Sequence, residues 1–211
     1  MRLEISFGVS NNQRVKVARI FYEAFETEFK NVFGPKERGI PIISRHLRDD
    51  RTVVAISRGV VVGFAGLEFK GKGFIDMSFW QLVRELGFGI LRVIFLGCCF
   101  VVFRQIWMFL NKSREKEILF DAMAVAGNMR GKGIGSSLLN FVIDFGCSRG
   151  YTQIRFSVYD KNVRARRLFE RVGFKEARVR KIVFPWNRIL SFNAASEMIY
   201  KIQIASRRDV N

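Results

Sequence analysis

Histidine is almost absent from this chain of 211 residues, His46 being the only one. Cysteine is scarce too: Cys98, Cys99 and Cys147 make an odd count with no metal-ligand spacing. Neither a zinc site nor a disulfide framework is therefore expected, and a reducing cytoplasm is the default compartment. The stretch Met1-Arg2-Leu3-Glu4-Ile5-Ser6-Phe7 lacks the apolar core of a signal peptide, so nothing in it directs export. Internal repeats and low-complexity segments are missing as well. Acidic residues are in short supply, 19 against 36 Lys and Arg, which leaves a formal charge of +17. A surplus of that size implies an anionic partner: a phosphorylated ligand, an acidic membrane surface or nucleic acid. Nucleic acid is the weakest of the three, because the basic residues form no recognition motif.

What is abundant argues for a folded chain. Apolar residues make up 49% and aromatic residues 14%, enough for a sizeable core, and the length suits a single domain over residues 1–211. Residues 11 to 30 read as a helix with Val15, Ala18, Ile20, Phe21, Ala24, Phe25 and Phe29 on one face, ended by Gly34-Pro35. A shorter helix follows at 42 to 48, where His46 reads as a surface or half-buried residue rather than a catalyst. Strands are expected at 52 to 56 and 60 to 69, joined by Ser57-Arg58-Gly59, and then at 117 to 125, 153 to 158, 176 to 184 and 196 to 204. A helix closing at Phe141 to Cys147 precedes the turn Arg149-Gly150-Tyr151.

One stretch organises the rest. Val125-Ala126-Gly127-Asn128-Met129-Arg130-Gly131-Lys132-Gly133-Ile134-Gly135-Ser136 ends a β-patterned run and opens a helical one. Glycines at 131, 133 and 135 let N–H groups converge on an anion at a helix N-terminus, where the dipole also favours negative charge. Arg130 and Lys132 add full charge beside them. The spacing is not that of a P-loop, since Lys132 is followed by Gly133 and no glycine lies five residues before Gly131; nor is it a dinucleotide fingerprint, which would need glycine at Ser136.

The run Arg130 to Gly135, R-G-x-G-I-G after a strand, resembles the acyl-CoA pyrophosphate loop of the GNAT N-acetyltransferase superfamily. About 30 residues on, Val158 to Phe174 resembles the same family's V-x-x-x-N-x-x-A-x-x-L-[YF]-x-x-x-G-F run. The resemblance implies an α/β fold with a mixed, mostly antiparallel central sheet flanked by helices, and transfer of an acyl group from acetyl-CoA or another acyl-CoA to an amine, with no metal. It further implies that two neighbouring strands splay at a bulge and take the pantetheine arm between them. Backbone groups of Met123, Ala124 and Val125 would then hold the thioester, and Arg130, Gly131, Lys132, Gly133, Ile134, Gly135 and Ser136 the pyrophosphate. Asn162, readable on its own as a helix N-cap, would also touch the cofactor arm.

Proton handling matches the family least. Phe169 stands where many members carry a tyrosine that protonates the leaving sulfur, and phenylalanine has no proton to give. Tyr159 is the nearest alternative acid, although strand alternation leaves the face it points to open. Asp121 is the best carboxylate to receive the amine's proton, although it reads more readily as a charge-paired strand residue among many cations. A non-catalytic acyl-CoA or lipid-binding module is the competing class.

Residues 71 to 116 interrupt the family pattern with a crowd of aromatics, among them Phe74, Phe79, Trp80, Phe95 and Trp107, and with no charge between Arg92 and Arg104. A helix there is apolar all round. The expectation is a hydrophobic helical hairpin over 74 to 111, lying in a membrane interface with its basic residues outermost, or else forming a homodimer contact or a lid. A lipid-linked or amphipathic acceptor, and a cytoplasmic protein peripheral at the inner face of the membrane, would go with the first reading.

Overall fold

The computed structural model describes residues 2–86, 116–182 and 192–202. In chain order they form β1 (Leu3–Phe7), α1 (Asn11–Ala24), α2 (Glu26–Phe33), α3 (Lys36–His46), β2 (Thr52–Ser57), β3 (Val60–Glu68), α4 (Phe79–Leu86), β4 (Glu117–Val125), α5 (Ile134–Ser148), β5 (Gln153–Tyr159), α6 (Val163–Val172), β6 (Lys175–Lys181) and β7 (Ala194–Lys201). The strands make one seven-stranded sheet in the order β1-β2-β3-β4-β5-β7-β6. Only β4 and β5 run parallel; all other neighbours are antiparallel. This is the mixed, mostly antiparallel sheet expected from the sequence.

Local chemistry explains the pieces. Arg58 and Gly59 both take positive φ, 52° and 76°, which makes the two-residue turn between β2 and β3 one whose twist suits a hairpin. The long N-terminal helix is interrupted: Phe25, at φ −127° and ψ 36°, closes α1 and opens α2. Its N–H still reaches the Phe21 and Tyr22 carbonyls, both at 3.2 Å, and its ring meets those of Phe21 and Phe29. The next helix begins at Lys36, earlier than the pattern suggested, and contains Pro41.

Two cores sandwich the sheet. On one face α5 and α6 cover Val53, Leu67, Ile118, Phe120 and Met198, with Leu138 and Phe169 contributed by the helices. On the other, α1 and α3 bring Val17, Phe21 and Ile43 onto Phe64 and Ala122. Phe74, counted in the sequence with the aromatics of the insert, belongs to this second core: it is 2% exposed and lies edge-on to Phe21 at 5.2 Å. A Cβ on Gly66 would come within 2.3 Å of its ring, so the bare backbone of β3 at that point is what admits it. Residues 87–115, which hold most of the hydrophobic stretch, lie outside the described residues. Among the described residues no helix is long and apolar enough to cross a membrane.

Candidate active site

The site begins with one unmatched residue. Gly66 faces Ala122 and Leu67 faces Phe120 across β3 and β4, so Asp121 has no opposite number and forms a bulge. A bulge bends its strand and resets which side chains face which way. Phe120 packs with the α5–α6 core, as does Met123, whereas Ala122 and Ala124 turn to the α1–α3 core. The bend also carries β4 off β5. Their ladder runs from Glu117↔Gln153 to Phe120↔Phe156 and stops, so that β5 does not pair with Ala122 to Val125. A cleft of about 120 Å³ opens there, lined by Asp121, Met123, Phe156, Ser157, Tyr159 and Asn162, with Glu68, Ala165 and Phe169 also in its wall.

Beyond β4, Gly131 and Gly133 take φ of 78° and 80°, and Gly133, left-handed at ψ −4°, is the N-cap of α5. No side chain caps the helix and its first turn holds no acidic residue, so its leading N–H groups are open to an outside acceptor. A Cβ on Gly131 or Gly133 would meet nothing within 4 Å; the space before them is empty of protein. Arg130 folds its Nε back onto the Val125 carbonyl at 3.2 Å, tying the loop to the end of β4. Gly135 behaves differently from the other two. It sits inside the helix at ordinary φ, and a Cβ there would stand 2.9 Å from Leu168 Cδ2. Its bareness brings α5 close to α6, correcting the expectation that all three glycines shape the loop backbone. The two sequence motifs therefore touch through Gly135 and Leu168.

On α6, Asn162 is the N-cap as expected, its Oδ1 accepting the Ala165 N–H at 3.1 Å. Phe169 is fully buried, stacked on Phe156 at 4.4 Å and 18° and edge-on to Phe120 and Phe174; it carries the cleft floor as a core residue. Tyr159 lines the cleft with its ring stacked on Phe192 at 3.9 Å, which answers the question of its strand face. Asp121 is exposed and lies against Gly73, where a Cβ would come within 2.8 Å of its Oδ2. Sequence reading missed Glu68. It ends an otherwise apolar strand, is 3% exposed, and reaches the same cleft from just past the register shift, opposite Leu119.

Close beside the cleft, a buried ionic ladder crosses four strands. Arg155, 8% exposed, donates from Nη2 to Glu117 Oε2 at 3.0 Å and from Nη1 to Glu197 Oε1 at 2.8 Å. Gln153 holds the other oxygen of Glu117, and Arg180 stands 3.9 Å from Glu197. These contacts fix β5 against β4 and β7 where the splay starts.

A splayed parallel pair ending in an uncapped, glycine-led helix defines a class of acyl-CoA enzymes. The model of the acetyltransferase (GNAT) family matches residues 18–174, and this chain belongs to that family. Over 81 residues it is 33% identical to the probable N-acetyltransferase camello of Xenopus tropicalis, a match spanning 38% of this chain and 37% of that protein's length. Its fold is similar to an N-acetyltransferase from Staphylococcus aureus Mu50, with TM-score 0.64 and 15% identity over 93% of this chain and all of that one. The ribosomal-protein-S18-alanine N-acetyltransferase from Escherichia coli is similar as well, with TM-score 0.54 and 17% identity over 100% of both chains. The family takes its acyl group from acyl-CoA, and the residues here suit that co-substrate: open N–H groups and two cations for a pyrophosphate, unpaired strand edges for an amide-bearing arm.

Proposed function

We propose that this chain is an acyl-CoA-dependent N-acyltransferase, with acetyl-CoA as donor and a primary amine as acceptor. The observation that carries the reading is the parting of β4 from β5 after Phe120 and Phe156, beside the uncapped start of α5. Backbone N–H groups from Gly131 to Ser136 bind the pyrophosphate, with Arg130 and Lys132 balancing its charge. The free edge of Met123 to Val125 orients the arm and polarises the carbonyl, and Asn162 borders the cleft where the arm ends. Holding donor and amine in line in this way supplies the larger share of the acceleration, up to roughly 7–11 kcal/mol for a well-oriented pair.

The amine nitrogen attacks the thioester carbonyl carbon directly, so that a C–N bond forms as the C–S bond breaks. The proton leaving nitrogen passes to Asp121, directly or through water, with Glu68 as a second carboxylate in the same cleft. The departing sulfur takes its proton from Tyr159 or from water, because Phe169 has none to give. Colorimetric measurement of thiol release from acetyl-CoA against a panel of small amines, amino sugars, amphipathic amines and peptide N-termini tests the reading. Amine-dependent release is the expected result. Tight acetyl-CoA binding with no release for any amine would instead identify a non-catalytic acyl-CoA-binding module.

A further inference from the structure

The sheet has a second concavity at its other end. Where β1 and β3 finish and β2, β4 and β5 begin, a basin of about 610 Å³ gathers Arg51, Lys70, Lys116 and Arg149 with, among the described residues, one carboxylate, Asp50. The nine residues of β4 separate it from the glycine loop, a distance of roughly 25–30 Å at the usual strand rise. It shares no lining residue with the acyl-CoA cleft. Asp50 does little for this group of cations, since Arg48 holds both its oxygens at 3.1 and 3.2 Å. Lys70, Lys116 and Arg149 are exposed and form no ion pair among the described residues.

Arg51 is the unusual member. Its side chain is 8% exposed, and the nearest carboxylate oxygen, on Asp50, is 3.6 Å away. Its Nε and Nη1 are sealed from solvent and have no hydrogen-bond partner among the described residues. The guanidinium sits over Phe69, with Cζ 3.5 Å from the ring centre, and burial pushes its pKa below the ordinary arginine value. A buried cation with unmet donors is a costly feature that Phe69 and the distant Asp50 offset only in part. Beside it Phe69, Phe145 and Tyr151 stand with ring centres 6.0–6.2 Å apart, giving the basin an apolar wall under its charged rim.

We propose that this basin is a binding site for a phosphomonoester that carries an apolar or planar body. A phosphomonoester brings close to two negative charges and three acceptor oxygens, which four surrounding cations answer and a single carboxylate ligand would not. Arg51 is the fixed element, preorganised by Phe69. Lys70, Lys116 and Arg149 close on the anion from solvent, and the aromatic wall takes the body of the ligand. The phosphate has two possible sources, a soluble metabolite or a phosphomonoester lipid headgroup, and both present the same chemistry to the site.

Calorimetric titration of the full chain with phenyl phosphate tests this directly when run in saturating dephospho-CoA, which brings a pyrophosphate to the glycine loop but lacks the 3′-phosphomonoester of CoA itself. Because the glycine loop is then filled, binding reports the basin. The expected result is one-to-one binding, with phenol and inorganic phosphate each much weaker. The double variant Lys116→Gln/Arg149→Gln, which changes two exposed side chains, should bind phenyl phosphate about tenfold more weakly or worse, the scale of a lost charge-assisted hydrogen bond, with dephospho-CoA affinity unchanged. Absence of phenyl phosphate binding, or equal affinity in the double variant, overturns the proposal. Sedimentation with phosphatidylcholine vesicles, with and without phosphatidic acid, then separates the sources. Phosphatidic-acid-dependent binding that the double variant loses assigns the phosphate to a lipid, and indifference to vesicles with phenyl phosphate still bound assigns it to a soluble ligand.

Discussion

Two glycines of one motif should fail in opposite ways when changed to alanine. At Gly133 the backbone is left-handed, φ 80°, and an L-residue there costs about 1–2 kcal/mol. The more restricted unfolded chain returns about 0.4–1 kcal/mol of that. The net loss for Gly133→Ala is then about 1 kcal/mol, or roughly 2–4 °C in Tm for a protein of this size. At Gly135 the φ is ordinary, but the new methyl stands 2.9 Å from Leu168 Cδ2. Overpacking costs roughly 1–3 kcal/mol and helix propensity returns about 1; since Leu168 is a flexible end, the low part of the range applies. Both variants should fold, losing about 1 kcal/mol at Gly133 and less than that at Gly135. Ligand response separates them. Acetyl-CoA at a hundredfold its Kd stabilises the native protein by about 2.7 kcal/mol, a shift of roughly 5–10 °C. Gly133→Ala, whose methyl enters the open space before α5, should lose most of that shift, while Gly135→Ala keeps it and regains stability when combined with Leu168→Val. Scanning fluorimetry with and without acetyl-CoA reads both numbers. A full ligand shift in Gly133→Ala, or its loss in Gly135→Ala alone, would refute the division of roles.

Phe169→Tyr should raise turnover with acetyl-CoA KM unchanged, because residue 169 borders the cleft and the added hydroxyl reaches the leaving sulfur; a fall in both Tm and turnover would mean that the hydroxyl enters the Phe156 and Phe120 cluster instead. Arg155→Met strands Glu117 and Glu197 in a site where Arg155 is 8% exposed, so urea denaturation should show a loss of about 3–5 kcal/mol, and a loss below about 1 kcal/mol would mean the ladder is solvated. Glu85 is held below the ordinary glutamate range mainly by its hydrogen bond from Arg45, with His46 contributing less. A depressed carboxylate stabilises above its unfolded pKa and loses that contribution as pH falls through the folded one. Glu85→Gln should therefore be less stable than the native chain at pH 6, with the gap closing below about pH 4; a gap independent of pH would contradict the pairing.

The parts of the site that sequence made legible are those whose reasons are local. The strand Glu117–Val125, the loop to Gly133 and the Asn162 cap each follow from residues within a few positions of one another, and all stand where the pattern put them. β1 was legible and passed over: Leu3, Ile5 and Phe7 alternate with Glu4 and Ser6, and that run is an edge strand against β2. Other features depend on distant partners. The packing role of Gly135 needs Leu168, 33 positions later, and Glu68 reaches the cleft only because Asp121 is the odd residue in the β3–β4 register. The break at Phe25 goes with edge-on and tilted ring contacts to Phe21 and Phe29 across two helices, which the apolar periodicity of residues 11 to 30 runs through without interruption.

The fate of the acetyl label tests the account most directly. In a single turnover with acetyl-labelled acetyl-CoA and an accepted amine, quenched over time, label should pass from the thioester to the amide of the acceptor. None should rest on the protein, and the rate should fall on Asp121→Asn by about 10²–10⁴, the usual worth of a positioned proton acceptor. Label trapped covalently on the chain, or label that stays in acetyl-CoA for every amine offered, would contradict direct transfer in the cleft between β4 and β5.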